Sequence, residues 1–303
     1  MTIRWIAQVP ATIDEIVRLA GGDPEAVRDG RVFVGRARAS EGLSVEAGTE
    51  IVIHGASAAP REGEVLLHRR GVLAMAKPAG IPTIPDQGGK AHSLVAVAAK
   101  AAGVDPKMVH PTSWLDRDVS GVVLFALDAE AREALQRARD EGRYGRRYVA
   151  LAAAAPAPAE GLWDAPIGRA KNPRLRAIAR KPGSDAKPAT TGYVTLGVAS
   201  GRALLAVEPI TGRTHQIRVH AAHAGAPLLG DGDYGGPTRL TLEGGRSLSL
   251  RRIYLHCARV WIEPLGLELA AELPAEIVEL WTKLGGSWDQ PLARIFAVND
   301  GRR

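Results

Sequence analysis

The stretch PTSWLDRDVSGVVLFALD, residues 111–128, sets a polar loop of alternating charge directly against an apolar run. Asp116, Arg117 and Asp118 alternate in sign, Ser120 and Gly121 are expected to turn the chain, and Val122–Leu127 reads as a buried strand. A carboxylate flanked by Trp114 and Leu115 at the mouth of such a strand is either an ordinary turn that carries aspartates or a reactive group on a rigid support. Asp128 then offers a cap to AEAREALQRARDEG, an amphipathic helix with Ala131, Ala134, Leu135 and Ala138 on one side. Further along, RRYVALAAA and RALLAVEP read as strands, and Thr214 is placed to cap a helix that Gly225 and Pro227 terminate. Upstream, EVLLHRRGVLAMAKPAGIPTIP gives two short apolar runs joined by a turn, then a Pro/Gly-rich loop. Short strands and helices therefore mix from about residue 64 onward.

Residues before that point read as a separate small unit. Thr12 and Glu15 form a capping box ahead of IVRLA, and Gly21-Gly22 stops that helix. Asp23-Pro24 is expected to open a second short helix, and RVFVG and EIVIH alternate like strands, with Gly48 turning the chain between them. The boundaries expected are a module at 1–57, a linker at 58–64, a larger domain at 65–290 and a C-terminal tail at 291–303.

The chain has 303 residues, enough for a substantial core, and its 46% hydrophobic and 24% charged residues are those of a folded protein. No apolar run approaches the roughly 20 residues that span a bilayer. The opening MTIRWIAQVP lacks an apolar stretch with a cleavage site, so no signal peptide is expected. Cys257 is the single cysteine, which excludes an internal disulfide and suits a reducing cytoplasm, the location expected. The net charge of +6 is unevenly spread: residues 1–57 hold six Lys/Arg against eight Asp/Glu, so the basic excess lies beyond them. It is densest in GRAKNPRLRAIARKPGSDAK, residues 168–187, where seven Lys/Arg face only Asp185. Pro173, Pro182 and Gly183 make this a loop or hairpin, and Arg169, Lys171, Arg174 and Arg176 are phosphate-contact candidates if a nucleic-acid site lies nearby.

Taken together, WLDRDVSGVVLFA, RRYVAL, TGRTHQIRVHAAHAGAPLLGDGDYGG and YLHCARVWIEP resemble, in order and spacing, the RluA-type RNA pseudouridine synthases. AMAKPAGIPT resembles the lysine-proline-alanine-glycine segment near the start of that catalytic domain, and the likeness runs over residues 65–280. Residues 9–56 resemble an S4-type RNA-binding module, a common companion in that family, although such modules usually present a basic helix face and this one is net acidic. Arg18, Arg28 and Arg31 are its candidate cluster.

The resemblance implies an α+β fold, with a catalytic domain built on a long, mostly antiparallel mixed sheet and a central cleft, preceded by a small S4-like module. It implies an isomerase that detaches uracil from ribose, turns it and rejoins it through C5, with RNA as partner, ribosomal more than transfer RNA, and with no cofactor or metal. Asp116 corresponds to the essential aspartate, meeting the positive charge that develops at the sugar. An ion pair with Arg218 favours its charged form. Tyr148 corresponds to the active-site tyrosine, whose ring stacks on uracil and whose hydroxyl helps remove the C5 proton. Ile217 would pack against that ring. Arg146, Arg213 and His215 are candidate RNA contacts.

One departure stands out. Ser113-Trp114-Leu115-Asp116 replaces the common His-Arg-Leu-Asp, whose arginine is understood to enter the space a flipped uridine vacates. Extrusion of a base costs a few kcal/mol, and Trp114 would fill the gap by stacking. Val119 replaces a common threonine. The alternative is a non-catalytic RNA-binding or ribosome-assembly factor on a degenerate synthase scaffold. His215, His220 and His223 invite a metal reading, but His215 lies off the face that His220 and His223 share, and no helix carboxylate completes a site.

Overall fold

The structure is a computed structural model that describes residues 2–21, 26–27, 32–35, 37–54, 63–85, 93–179, 185–241 and 247–296. The chain divides into two compact units, Met1–Arg61 and Glu62–Arg303.

In the first unit the strands are β1 (Thr2–Ile6), β2 (Ala11–Thr12), β3 (Val32–Val34), β4 (Ala37–Arg38), β5 (Ser44–Val45) and β6 (Glu50–His54), with one helix, α1 (Ile13–Leu19). An antiparallel sheet runs β1-β6-β3-β4. The capping box starts α1, with Thr12 Oγ1 accepting from Glu15 N and the Glu15 carboxylate accepting from Thr12 N at 2.9 Å. Ile13, Ile16 and Val17 of α1 pack with Val32, Ile51 and Ile53 of the sheet. The second helix expected at Asp23–Pro24 falls on residues outside those described, as do Arg28 and Arg31.

The second unit opens with a hairpin of β7 (Glu64–Arg69) and β8 (Val72–Lys77), followed by α2 (Leu94–Ala102), β9 (His110–Pro111), β10 (Ser120–Ala126) and α3 (Ala129–Asp140). Next come β11 (Tyr144–Ala152), β12 (Glu160–Asp164), β13 (Ile167–Arg169), β14 (Arg176–Ile178), β15 (Thr190–Ala199) and β16 (Arg202–Pro209). After α4 (Gln216–His223) follow β17 (Arg239–Thr241), β18 (Ser247–Ser249), β19 (Leu255–Ile262), β20 (Leu267–Ala270), α5 (Ala275–Lys283) and α6 (Asp289–Phe296).

Ten of these strands form one sheet in the order β12-β15-β16-β11-β19-β10-β8-β7, with β20 on β19 and β9 on β10. Its β10–β19 pair is parallel and its other pairs are antiparallel, so the fold is α+β on a mixed, mostly antiparallel sheet. Along β11, Tyr148, Ala150 and Ala152 join one apolar cluster while Val149 and Leu151 join another. That two-residue alternation means the sheet is covered on both faces at its centre. The first cluster includes Leu94 of α2 and Leu135 of α3, and the second includes Trp281 of α5 and Ile295 of α6. A strand covered on both sides has no polar face, and all seven residues of β10 are buried.

Two expectations need correction. Ser120 and Gly121 do not turn the chain but begin β10; the turn lies over Arg117–Asp118 and is closed by Val119 N on Asp116 O at 3.1 Å. The segment from 291 does not begin as a tail, because it belongs to α6, whose Ile295 is fully buried among apolar neighbours. Among the described residues no helix is long and apolar enough to cross a membrane.

Candidate active site

Asp116 stands between two clamped residues. On its N-terminal side, Thr83 Oγ1 donates to Leu115 O at 2.8 Å and accepts from Leu115 N at 3.0 Å. On its C-terminal side, Arg117 O accepts from Lys77 Nζ at 2.9 Å and from Gly80 N at 2.8 Å. Lys77 ends β8, is almost fully buried, and also donates to Pro78 O at 2.9 Å. Burial, and then the charge of Arg252, push its pKa down to about 7. The lysine-proline-alanine-glycine segment therefore grips the aspartate loop, a contact that the sequence reading did not assign to it.

Behind the loop, Ser120 Oγ lies 2.8 Å from His256 Nδ1 and accepts from Arg252 Nη2 at 2.6 Å. His256 Nε2 lies 3.3 Å from Ala271 O, an acceptor, so Nε2 carries the ring proton and Ser120 donates to Nδ1. Burial drives the His256 pKa down to about 3, which keeps this ring neutral.

The opposite wall is α4. Its N-cap is His215 rather than Thr214, and His215 adopts a left-handed backbone at φ 57°. Thr214 is not needed as a cap because Gln216 orders the preceding loop: its Oε1 accepts from Thr211 Oγ1 at 2.8 Å and Arg213 N at 2.9 Å. Its amide nitrogen donates to Thr190 O at 2.9 Å and Thr191 Oγ1 at 2.8 Å. One turn on, Arg218 is buried and donates from Nη1 to Asp116 Oδ2 at 2.8 Å.

Arg218 is itself fixed by groups that the sequence reading missed. Nε and Nη2 form a fork on Asp231, both bonds 2.7 Å, and Nη2 also reaches Asp233 at 3.0 Å. Its guanidinium lies 4.8 Å from the Tyr234 ring centroid. Burial works against the charge, but the bonds and charge of Asp231 and Asp116 outweigh it and raise the Arg218 pKa above the ordinary value. The signal was GDGDYGG, residues 230–236, read as a glycine-rich turn.

Asp116, Trp114, Arg146, Tyr148, Arg213, His215, Ile217 and Arg218 all line one cleft. Trp114 is 54% exposed at its edge, while Tyr148 and Ile217 are buried in one apolar cluster. Burial, and then the neighbouring Cys257, raise the Tyr148 phenol above its ordinary pKa, and burial pushes the Cys257 thiol up to about 12. Arg146 reaches Thr211 O weakly at 3.4 Å, and among the described residues its buried Nε has no hydrogen-bond partner. Arg213 spends its Nε on Pro188 O at 3.0 Å.

The basic stretch is partly a β13–β14 hairpin, with residues 180–184 outside those described. Its described residues do not line the cleft: Arg169, Lys171 and Arg174 are exposed, and Arg169 pairs with Asp185 at 3.5 Å. Arg176 comes nearest, through its backbone N–H, which donates to Tyr234 OH at 2.9 Å. His220 lies away from the cleft, with its ring nitrogens 2.9 Å from Thr191 Oγ1 and 3.0 Å from Ala165 O.

This arrangement holds one oxygen of Asp116 on a fixed cation. The other, Oδ1, accepts no hydrogen bond from the described residues and is 3.7 Å from His215 Nε2. Such a carboxylate can bond to, or take a proton beside, a carbon that becomes electron-poor.

Comparison with known proteins points the same way. A family model described as RNA pseudouridylate synthase matches residues 71–223. An uncharacterized RNA pseudouridine synthase of Chloroflexus aurantiacus is 39% identical over 212 residues, 66% of this chain and 63% of that protein, so the chain spans less than two thirds of that relative. The dual-specificity RNA pseudouridine synthase RluA of Salmonella typhi is 33% identical over 180 residues, 59% of this chain and 80% of that one. Among solved structures, human RNA pseudouridylate synthase domain containing 1 superposes with a TM-score of 0.60 at 23% identity, covering 82% of this chain and all of that one, a likeness of fold.

Proposed function

The chain belongs to the RNA pseudouridylate synthase family, of RluA type, and from that premise we propose that it isomerises uridine to pseudouridine in structured RNA, ribosomal RNA above all. The observation that carries this reading is the state of Asp116, with Oδ2 held by Arg218 and Oδ1 left open in the cleft beside Tyr148. The C1′–N1 bond breaks with its electrons leaving on the uracil, and Asp116 meets the charge left at C1′, as nucleophile or by assisting a proton shift on the sugar. The uracil turns, C5 bonds to C1′, the C5 proton leaves and N1 gains one. Nothing is oxidised or reduced.

Tyr148 serves as the wall on which the base stacks; its raised pKa keeps the phenol protonated, which suits relaying a proton more than acting as free phenolate. Arg146 supports the reading as a cation that lines the cleft beside Tyr148. Trp114, exposed at the rim, suits insertion where the flipped base was stacked. The first unit serves as an S4-like RNA-binding module, and residues 169–176 as a phosphate-contacting hairpin outside the cleft.

Trp114 in place of the usual arginine also favours a second reading, an RNA-binding factor without turnover. Mapping pseudouridines across total RNA of a deletion strain, complemented with the intact gene or with Asp116→Ala, separates the two. A site lost on deletion and restored only by the intact gene is the expected result. Restoration by Asp116→Ala would remove Asp116 from the chemistry, and a map unchanged by deletion would favour the binding factor.

A further inference from the structure

Three described non-glycine residues have a left-handed backbone: Arg70 at φ 48°, Ser200 at 45° and His215 at 57°. Arg70 and Ser200 each precede a glycine of positive φ, Gly71 and Gly201, in the two-residue loops of the β7–β8 and β15–β16 hairpins. Hairpin turns of the type I′ form require that conformation. His215 sits at a helix start, where no hairpin demands it, and such strain persists only where the surroundings enforce it. Its effect is to aim the imidazole across the cleft at Asp116.

Which nitrogen carries the proton follows from the partners. Tyr234 OH accepts the backbone N–H of Arg176 at 2.9 Å and lies 2.8 Å from His215 Nδ1. Among the described residues no other acceptor lies within hydrogen-bond reach of the phenol's own proton, so it goes to Nδ1 and Nε2 is the N–H nitrogen. Burial, before the opposing charge of Asp116, lowers the His215 pKa, and burial raises that of Tyr234. Both groups thus keep these roles at neutral pH.

The result is a neutral Nε2–H donor 3.7 Å from the open Oδ1 of Asp116. That distance is too long for the two to satisfy each other. A donor and an acceptor side by side complement a hydroxyl, which accepts from one and donates to the other. Within an RNA chain the 3′ and 5′ oxygens are esterified and have no proton to give. The 2′-hydroxyl alone has both functions, and it is borne by the carbon next to C1′.

Resting on the assignment of Asp116 made above, we propose that His215 contacts the substrate directly: its Nε2–H and Asp116 Oδ1 together hold the 2′-hydroxyl of the target uridine and so select ribose over deoxyribose.

The test uses the full chain and a synthetic stem-loop around the uridine found by the mapping, made with ribose or 2′-deoxyribose at that one nucleotide. Equilibrium binding and single-turnover rate are measured for both, with wild type, His215→Ala, His215→Gln and Tyr234→Phe. Wild type is expected to prefer the ribose form by about tenfold in binding, the worth of one good hydrogen bond. His215→Ala should bind the two forms equally, and His215→Gln, which keeps an N–H donor, should restore part of the preference. Tyr234→Phe, which keeps the ring beside Arg218 but loses the proton that fixes the tautomer, should weaken it. Equal losses on both sugars in His215→Ala would make His215 a structural residue or a reader of the uracil edge and overturn the proposal, leaving the function intact. A mapping without any site removes both.

Discussion

Asp231 and Asp233 touch the same guanidinium but should matter very differently. Asp231 is buried and takes two bonds from Arg218, whereas the Asp233 side chain is 60% exposed and takes one. In Asp231→Asn one of the two paired bonds is lost in a buried setting, so urea unfolding should show a loss of about 3 kcal/mol. Asp233→Asn should change stability by less than about 1 kcal/mol, since water screens that pair. Lys77 gives a dependence on pH. Its folded pKa, near 7, lies below the unfolded value. Between these values the unfolded chain binds more protons, so the cost of burying the ammonium falls as pH rises. Compared with Lys77→Met, wild-type stability should climb between about pH 7 and 10 by up to about 1.4 kcal/mol per unit. Parallel profiles would show that Lys77 is not the group that titrates. Asp116 was singled out only through the likeness of WLDRDVSGVVLFA to a known family, because a charged loop against an apolar run reads equally as a plain turn. Asp231 and Tyr234 were missed, because a glycine-rich turn gives no local sign that it folds back onto an arginine 13 residues earlier.

At the scale of elements, β10 carries the aspartate loop, and its Gly121 pairs with Cys257 of β19. A Cβ built there would collide with the Cys257 carbonyl oxygen, and φ is +122°. Gly121→Ala must therefore push two central strands apart or strain the backbone, and a loss of about 3 kcal/mol is expected in thermal or urea unfolding. A wild-type midpoint would mean that the strands separate freely there. The strands β7, β8, β10, β11 and β16 and the helices α1 and α3 declared themselves locally, α3 through Asp128 and its apolar side, whereas β12, β15, α2, α5 and α6 went unread. Where local rules competed, the sequence misled: Thr214 is a preferred cap residue, but the side-chain amide of Gln216 orders that loop instead. The strand order was beyond reach, since the β10–β19 pairing joins residues such as Ser120 and His256, 136 positions apart.

For the whole molecule, the apolar clusters respect the division at Arg61: one draws only on residues up to Ile53, and the others only on residues from Leu66 onward. Residues 62–303 alone should therefore unfold in one cooperative transition, with the circular dichroism of a folded domain; a molten chain would refute that independence. If the first unit binds RNA as proposed, removing it should lower the salt dependence of RNA binding by at least about one released counterion, even though residues 1–57 are net acidic. An unchanged slope would show that its arginines do not contact phosphate. The ion pair between Asp116 and Arg218 bridges 102 positions, and the Asp231 fork lies later still. As the ribosome delivers the chain from its N-terminus, every nascent intermediate shorter than this holds the aspartate without its counter-ion. The carboxylate therefore cannot reach its paired state until the chain has been made at least as far as Asp231.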